Sequence, residues 1–68
     1  MAFDFAELQR VRELRDARRW TQERLAEAAG LTPVQLSRIE NGANDPKLTT
    51  VLRLARALGV RLGELVDR

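Results

Sequence analysis

The chain has 68 residues, of which 12 are lysine or arginine and 10 are aspartate or glutamate, so its formal net charge is +2. It contains no cysteine and no histidine, which excludes disulfide bonds and ordinary zinc sites. This length predicts one small domain over residues 1–68, held together by aliphatic side chains. No segment approaches the roughly 18 apolar residues of a membrane helix and no signal-peptide core is seen, so we expect a soluble cytoplasmic protein.

Arginine supplies most of the positive charge. Lys47 is the one lysine, so eleven of the 12 cations are arginine, the side chain suited to paired hydrogen bonds with phosphate and guanine. Residues 46–63 carry four cations and no carboxylate. Because codon bias and intrahelical ion pairs produce the same composition, charge alone does not assign a partner.

The start of a helix is marked three times by the same local pattern. Residues 3–8, 20–25 and 31–36 each read apolar residue, capping residue, two residues, long polar residue, leucine. The capping side chain accepts a free backbone N–H, and the apolar residues at either end pack across the first turn. Glutamate or glutamine completes a capping box in the first and third copies. Arg24 breaks the box in the second copy, which predicts a weaker start there.

These starts, with glycine and proline as end signals, predict an all-α chain of five helices. Gly30 is expected to end the second helix in the left-handed conformation, and Pro33 to begin the third. The predicted ranges are about 5–18, 22–29, 33 to 41–42, 48–58 and 62–66. The predicted buried residues of the first four helices are Leu8, Val11 and Leu14; Leu25 and Ala29; Leu36 and Ile39; and Leu48, Val51, Leu52, Ala55 and Leu58.

The second and third helices have the features of a helix-turn-helix. Both are short, and residues 30–32 are all that separates them, which favours two helices crossing at a steep angle. Ala26 is expected at the crossing, where a larger side chain would push the helices apart. Seven positions within 18 residues have the residue types that a helix-turn-helix requires. Counted from Gln22 as position 1, they are positions 1, 4, 5, 9, 10, 15 and 18, occupied by Gln22, Leu25, Ala26, Gly30, Leu31, Leu36 and Ile39.

The amino-acid sequence around these two helices resembles that of the lambda-repressor/Cro-type (XRE-like) helix-turn-helix family. The matching segments are RELRDARRWTQERLAEAAGL at 12–31, SRIENG at 37–42, then Pro46 followed by VLRLARALGV at 51–60. The resemblance implies a five-helix DNA-binding domain whose third helix enters the major groove, usually as a symmetric dimer. It implies a sequence-specific transcriptional regulator of double-stranded DNA, more often a repressor. The alternative is the antitoxin, or a protein-interaction module, of a toxin–antitoxin pair with the same fold.

The resemblance places four residues of the third helix at the bases: Pro33, Val34, Ser37 and Arg38. Helical periodicity agrees, because Leu36 and Ile39 facing inward leave positions 34, 37 and 38 on the opposite side. Arg38 is suited to donate two hydrogen bonds to guanine. An ion pair with a surface carboxylate is the alternative role for Arg38, and a helix start without a further role is the alternative for Val34.

Contacts with the DNA backbone and one buried ion pair are also implied by the resemblance. The implied ion pair joins Arg15 of the first helix to Glu40 of the third; the alternative is two solvated charges. The free N–H groups at a helix start suit a phosphate, although Thr21 is also the N-cap of its helix. The residues implied at the backbone are Thr21, Gln22, Asn41, Asn44 and Lys47.

An apolar cluster near the end of the chain predicts a homodimer contact, formed by Val60, Leu62, Leu65 and Val66. An enzyme is not expected, because the chain has no histidine, cysteine or tyrosine and no glycine-rich phosphate loop. We expect no cofactor, no metal site, no small-molecule substrate and no membrane contact. The expected partners are operator DNA and a second copy of the chain.

Overall fold

The computed structural model describes residues 5–42 and 46–65, and within these it describes five helices and no strand. They are α1 (Phe5–Ala17), α2 (Gln22–Ala29), α3 (Pro33–Glu40), α4 (Leu48–Leu58) and α5 (Leu62–Leu65). The predicted five-helix, all-α fold is confirmed. The cap predicted at Asp4 and the burial predicted for Leu8 lie outside the described residues and side chains. None of the described helices is long and apolar enough to cross a membrane.

α1 ends at Ala17, one residue before the predicted end, because the chain turns at Arg19. Arg19 adopts a left-handed backbone conformation with φ of +57°. Its N–H donates to the carbonyl of Asp16 at 2.9 Å, and the N–H of Trp20 donates to the carbonyl of Arg15 at 3.2 Å. These bonds close the last turn of α1 and direct Trp20 back toward the core.

The turn between α2 and α3 uses the left-handed glycine that the sequence predicts. Gly30 has φ of +73° and ψ of +32°, and the N–H of Leu31 donates to the carbonyl of Ala26 at 2.8 Å. No heavy atom lies within 4 Å of the position that a Cβ on Gly30 would take. Glycine is therefore favoured here by its backbone conformation and not by lack of space.

The two N-caps of this pair differ as expected. Thr32 and Gln35 form a complete capping box: the Thr32 Oγ1 accepts from the Gln35 N–H at 3.1 Å, and the Thr32 N–H donates to Gln35 Oε1 at 2.9 Å. At α2, Thr21 accepts from the N–H of Arg24 at 3.1 Å, and no reciprocal bond forms among the described residues. The Arg24 guanidinium instead lies 5.4 Å from the centroid of the Trp20 ring, a cation–π contact across the same turn.

All five helices contribute to a single apolar core. α4 packs against α2, α1 and α5, and α1 also packs against α3 and α5. Leu14, Trp20 and Leu31 pack against the edge of the core while remaining partly exposed. The buried apolar residues are Val11, Leu25, Ala26, Ala29, Leu36, Ile39, Val51, Leu54, Ala55, Leu58 and Leu65.

The buried face of α4 differs from the predicted one. Leu54, which the prediction omitted, is fully buried, whereas Leu48 and Leu52 are 44% and 40% exposed. The buried stripe of α4 follows i, i+3, i+4, i+7 from Val51 to Leu58. Because three neighbouring helices cover that stripe, Leu48 and Leu52 lie at its edge and stay partly in solvent. The predicted burial is therefore confirmed for Val51, Ala55 and Leu58 and wrong for Leu48 and Leu52.

Candidate nucleic-acid interface

The two faces of α3 differ sharply in burial. Leu36 and Ile39 are inside the core, while Val34, on the other side, is 60% exposed. Pro33 and Arg38 are also exposed, and Ser37 is half-buried. A short helix that presents an apolar side chain and a guanidinium to solvent has a surface that its own fold does not use.

Arg38 lies on this outer face in the last turn of α3. Within the described ranges 5–42 and 46–65 it forms no ion pair and no side-chain hydrogen bond. The surface ion pair offered above as its alternative role is thus not formed with any described carboxylate. No described residue occupies the five N–H donors of its guanidinium.

Ser37 and Asn41 are linked at the C-terminal end of α3. The backbone N–H of Asn41 donates to the carbonyl of Ser37 at 3.0 Å. The Asn41 Nδ2 lies 3.5 Å from the Ser37 Oγ, at the limit of a hydrogen bond. Asn41 is exposed, and this is the one side-chain hydrogen bond that either residue forms with the described part of the chain.

The side chains of Thr21 and Gln22, at the start of α2, point in different directions: that of Thr21 toward solvent and that of Gln22 toward Glu40. Thr21 is exposed, and its hydroxyl is the N-cap. The backbone N–H groups of residues 22 and 23 precede the first intrahelical bond of α2 and point out of the helix end, where the helix dipole favours an anion. The side chain of Gln22 does not point away from the fold, because its Nε2 donates to Glu40 Oε1 at 3.0 Å.

Arg15 and Glu40 form a buried, two-point ion pair between α1 and the end of α3. The Nε of Arg15 donates to Glu40 Oε2 at 2.8 Å and its Nη2 donates to Oε1 at 3.0 Å. Arg15 is 9% exposed and Glu40 is 2% exposed. The hydrogen bonds that Arg15 donates to Glu40 raise the pKa of Arg15 against the opposing effect of burial. Two solvated, uncoupled charges, the alternative considered above, do not describe this pair.

Lys47 is exposed at the N-cap of α4 and makes no side-chain cap bond there. Its ammonium group is therefore not used by the helix that it precedes. Asn44, the other residue predicted at the DNA backbone from this region, lies outside the described residues.

Residues 11–65 match the sequence model of the helix-turn-helix family. The chain belongs to that family, in its lambda-repressor/Cro (XRE) type. The match runs from the second turn of α1 to the end of α5, so it includes every described core residue. In a DNA-binding helix-turn-helix the second helix is the one that lies in the major groove, and the second helix of this pair is α3.

Individual members of the family are similar over most of the chain. The immunity repressor protein of Bacillus phage phi105 is 38% identical over 58 residues, covering 85% of this chain and 40% of that protein. The restriction-modification controller protein C.AhdI from Aeromonas hydrophila has 39% identity and a TM-score of 0.84, covering 87% of this chain and 89% of that one. The N-terminal DNA-binding domain of SinR from Bacillus subtilis has 26% identity and a TM-score of 0.85, covering 94% of each chain. SinR has also been solved in complex with DNA.

The chain spans only part of the curated relatives that it matches, between 21% and 40% of their length. Several of them are named as repressors or as helix-turn-helix transcriptional regulators. Activities that depend on the rest of those proteins do not carry over from this alignment.

The predicted dimer contact of this helix-turn-helix chain needs one correction. Leu65 is 1% exposed, because α5 folds back onto α1 and α4 and directs this side chain into the core. It has no surface left for a second copy. Val60 and Leu62 are half-buried and keep some apolar surface, while Val66 lies outside the described residues.

Arg10 in α1 and Arg18 just after its end have roles that the sequence pattern did not reveal. Arg18 donates from Nη2 to the carbonyl of Leu58 at the end of α4, and Arg10 donates from Nε to the carbonyl of Glu64 in α5 at 3.2 Å. Both bonds satisfy carbonyls that helix ends leave without partners. These contacts span 40 and 54 residues of sequence, so no local pattern could have indicated them.

Proposed function

We propose that this chain binds double-stranded DNA in a sequence-specific manner and acts as a transcriptional repressor by occupying an operator. The observation that carries the proposal is the division of α3 into a buried face, with Leu36 and Ile39, and an exposed face with Val34 and Arg38. The names of the relatives favour a repressor or regulator over the toxin–antitoxin alternative.

The exposed face of α3 supplies the base contacts in this proposal. Arg38 donates two hydrogen bonds to O6 and N7 of a guanine, an arrangement that the other bases do not offer. Val34 and Pro33 contact the methyl group of a thymine. Ser37 has a hydroxyl that donates or accepts, so it suits several base edges.

Contacts with phosphates hold α3 in the groove in this proposal. The open N-terminus of α2 at Thr21 and Gln22 binds one phosphate through backbone N–H groups. Lys47 and Asn41, together with Asn44, bind the backbone beyond the other end of α3. These contacts orient the protein without reading the sequence.

A homodimer completes the proposal, because a two-fold pair places two recognition helices about 34 Å apart in successive major grooves. The apolar surface left at Val60 and Leu62 is the proposed contact, and Val66 is included in the proposal from the sequence alone. Operator binding also places the protein in the cytoplasm, with the DNA, and requires neither a cofactor nor catalysis.

Selection from a pool of random DNA duplexes tests the proposal directly. We expect one motif to be enriched, with two inverted half-sites whose centres lie about 10 base pairs apart. A single enriched half-site would support base recognition and contradict the dimer. A pool that shows no enrichment after repeated rounds would contradict sequence-specific binding itself.

Arg38→Ala should lower affinity for the selected duplex by about 1–3 kcal/mol and remove the preference at one base pair. Lys47→Ala is the matched comparison, since losing a phosphate contact should weaken binding to all sequences alike. Kd values for the selected duplex and for its single-base variants measure both effects. If Arg38→Ala leaves the ranking of the variants unchanged, Arg38 does not read a base.

A further inference from the structure

α2 and α3 are fastened together at both ends. At one end, residues 30–32 connect the last turn of α2 to the first turn of α3. At the other end, Gln22, the first residue of α2, donates to Glu40, the last residue of α3, at 3.0 Å. Without that second link, the polar connection between the two helices would be confined to the turn side.

The acceptor in this link is held rigidly. Each Glu40 oxygen accepts an N–H of Arg15, at 2.8 and 3.0 Å, so the carboxylate is not free to rotate. Arg15 is held in turn by its Nη1, which donates to the carbonyl of Trp20 at 2.8 Å. A carboxylate only accepts hydrogen bonds, so its partner on Gln22 must be the amide NH₂ group. Hydrogen bonds to a charged, buried acceptor are stronger than those between neutral groups.

We propose that Gln22 is a positioning residue for sequence recognition: by binding Glu40 it fixes the angle of α3 against α2. This inference rests on the proposed function. The hydrogen bond between Gln22 and Glu40 has its greatest effect on the position of the C-terminal half of α3, because that half lies farthest from the turn at residues 30–32. Arg38 is two residues from Glu40, and its paired bonds to guanine tolerate little displacement.

This role differs from that of a phosphate ligand, which was the expectation for Gln22 from the sequence. A phosphate contact lowers affinity for every sequence by the same factor when it is lost. Loss of a positioning contact lowers affinity for the preferred sequence more than for an unrelated one. The ratio of the two affinities therefore separates the roles.

The experiment compares Gln22→Met, which keeps the side-chain length and removes the amide, with the wild-type chain. Gln9→Met, at an exposed position of α1, is the matched control for the chemical change. Kd is measured at one salt concentration for the selected duplex and for a duplex of shuffled sequence. We expect Gln22→Met to weaken the selected duplex about tenfold and the shuffled duplex less than about threefold, with Gln9→Met changing neither.

A double-mutant comparison adds a second readout. If Gln22 acts through the placement of Arg38, then Gln22→Met should reduce the affinity ratio much less in an Arg38→Ala background. Thermal unfolding followed by circular dichroism verifies that each variant is folded at the assay temperature. Gln22→Ala removes the same amide with a better helix former and takes the place of the methionine variant if that one is unfolded.

Equal losses on the two duplexes would overturn the inference and leave Gln22 as a phosphate ligand. If Gln22→Met changes the Kd of neither duplex, the inference is overturned as well. The same holds if Gln22→Met reduces the affinity ratio by as large a factor in the Arg38→Ala background as in the wild-type chain. A wild-type chain that does not distinguish the two duplexes would contradict the proposed function instead, so the two failures are distinguishable.

Discussion

Glu40→Ala is expected to lower the free energy of unfolding by about 3–5 kcal/mol, the largest effect of any single polar substitution proposed. The variant leaves the guanidinium of Arg15, 9% exposed, without the carboxylate that binds it at two points. It also removes the acceptor of Gln22. Because small domains have total stabilities of about 5–15 kcal/mol, this loss is a large fraction of the free energy of unfolding. Urea or thermal unfolding followed by circular dichroism measures the change.

Asp16→Ala is the matched control for Glu40→Ala. Asp16 forms ion pairs with Arg12 at 3.9 Å and with Arg15 at 3.3 Å, and its side chain is 58% exposed. Exposed pairs contribute less than about 1 kcal/mol because water and salt screen them. A double substitution with apolar residues, Arg15→Met with Glu40→Leu, should recover much of the loss, since neither charge then remains buried alone. An equal cost for Glu40→Ala and Asp16→Ala would mean that the pair does not stabilise the fold.

Leu54→Ala is expected to cost about 2–5 kcal/mol, because Leu54 is fully buried and its truncation leaves a cavity where α4 meets its neighbours. Leu52→Ala, on the same helix and with the same chemical change, should cost less than about 1 kcal/mol, since Leu52 is 40% exposed. Chemical denaturation of the two variants measures the difference. The reverse order would show that α4 is rotated so that residue 52, and not residue 54, faces the core.

The positions of the helix starts could be predicted from the sequence because their causes are local. Thr32 and Gln35 are three residues apart and form both capping bonds with each other, so the box is visible in four consecutive residues. The same locality explains why the conformation of Gly30 was predictable, since a left-handed residue after α2 favours glycine. Both features are encoded within a few neighbouring residues.

Burial at the edges of helices could not be predicted in the same way. Leu48 and Leu52 belong to a broad apolar face of α4, and which part of that face is covered depends on where α1, α2 and α5 pack. Leu65 was predicted to contact a second copy for the same reason. Near the end of a chain, the local sequence does not distinguish an apolar residue that completes the core from one that contacts a partner.

The role of Gln22 was missed because its partner is 18 residues away. Its position at the start of α2 favours a phosphate contact, and nothing within the neighbouring turn indicates a bond to Glu40. The pairing of Arg15 with Glu40 spans 25 residues, and it was expected only through the family resemblance. Long-range polar contacts of this kind follow from the packing of α1, α2 and α3 and not from a local pattern.

The central claim is that the exposed face of α3 recognises a DNA sequence while Lys47 and the polar groups around α3 bind phosphates. The most direct test is the Kd of the wild-type chain for the selected and shuffled duplexes between about 50 and 200 mM salt. We predict that the selected duplex binds about a thousandfold more tightly than the shuffled one, and that both affinities fall steeply as salt rises because counterions are released. Equal affinity for the two duplexes, or an affinity that does not change with salt, would contradict this account.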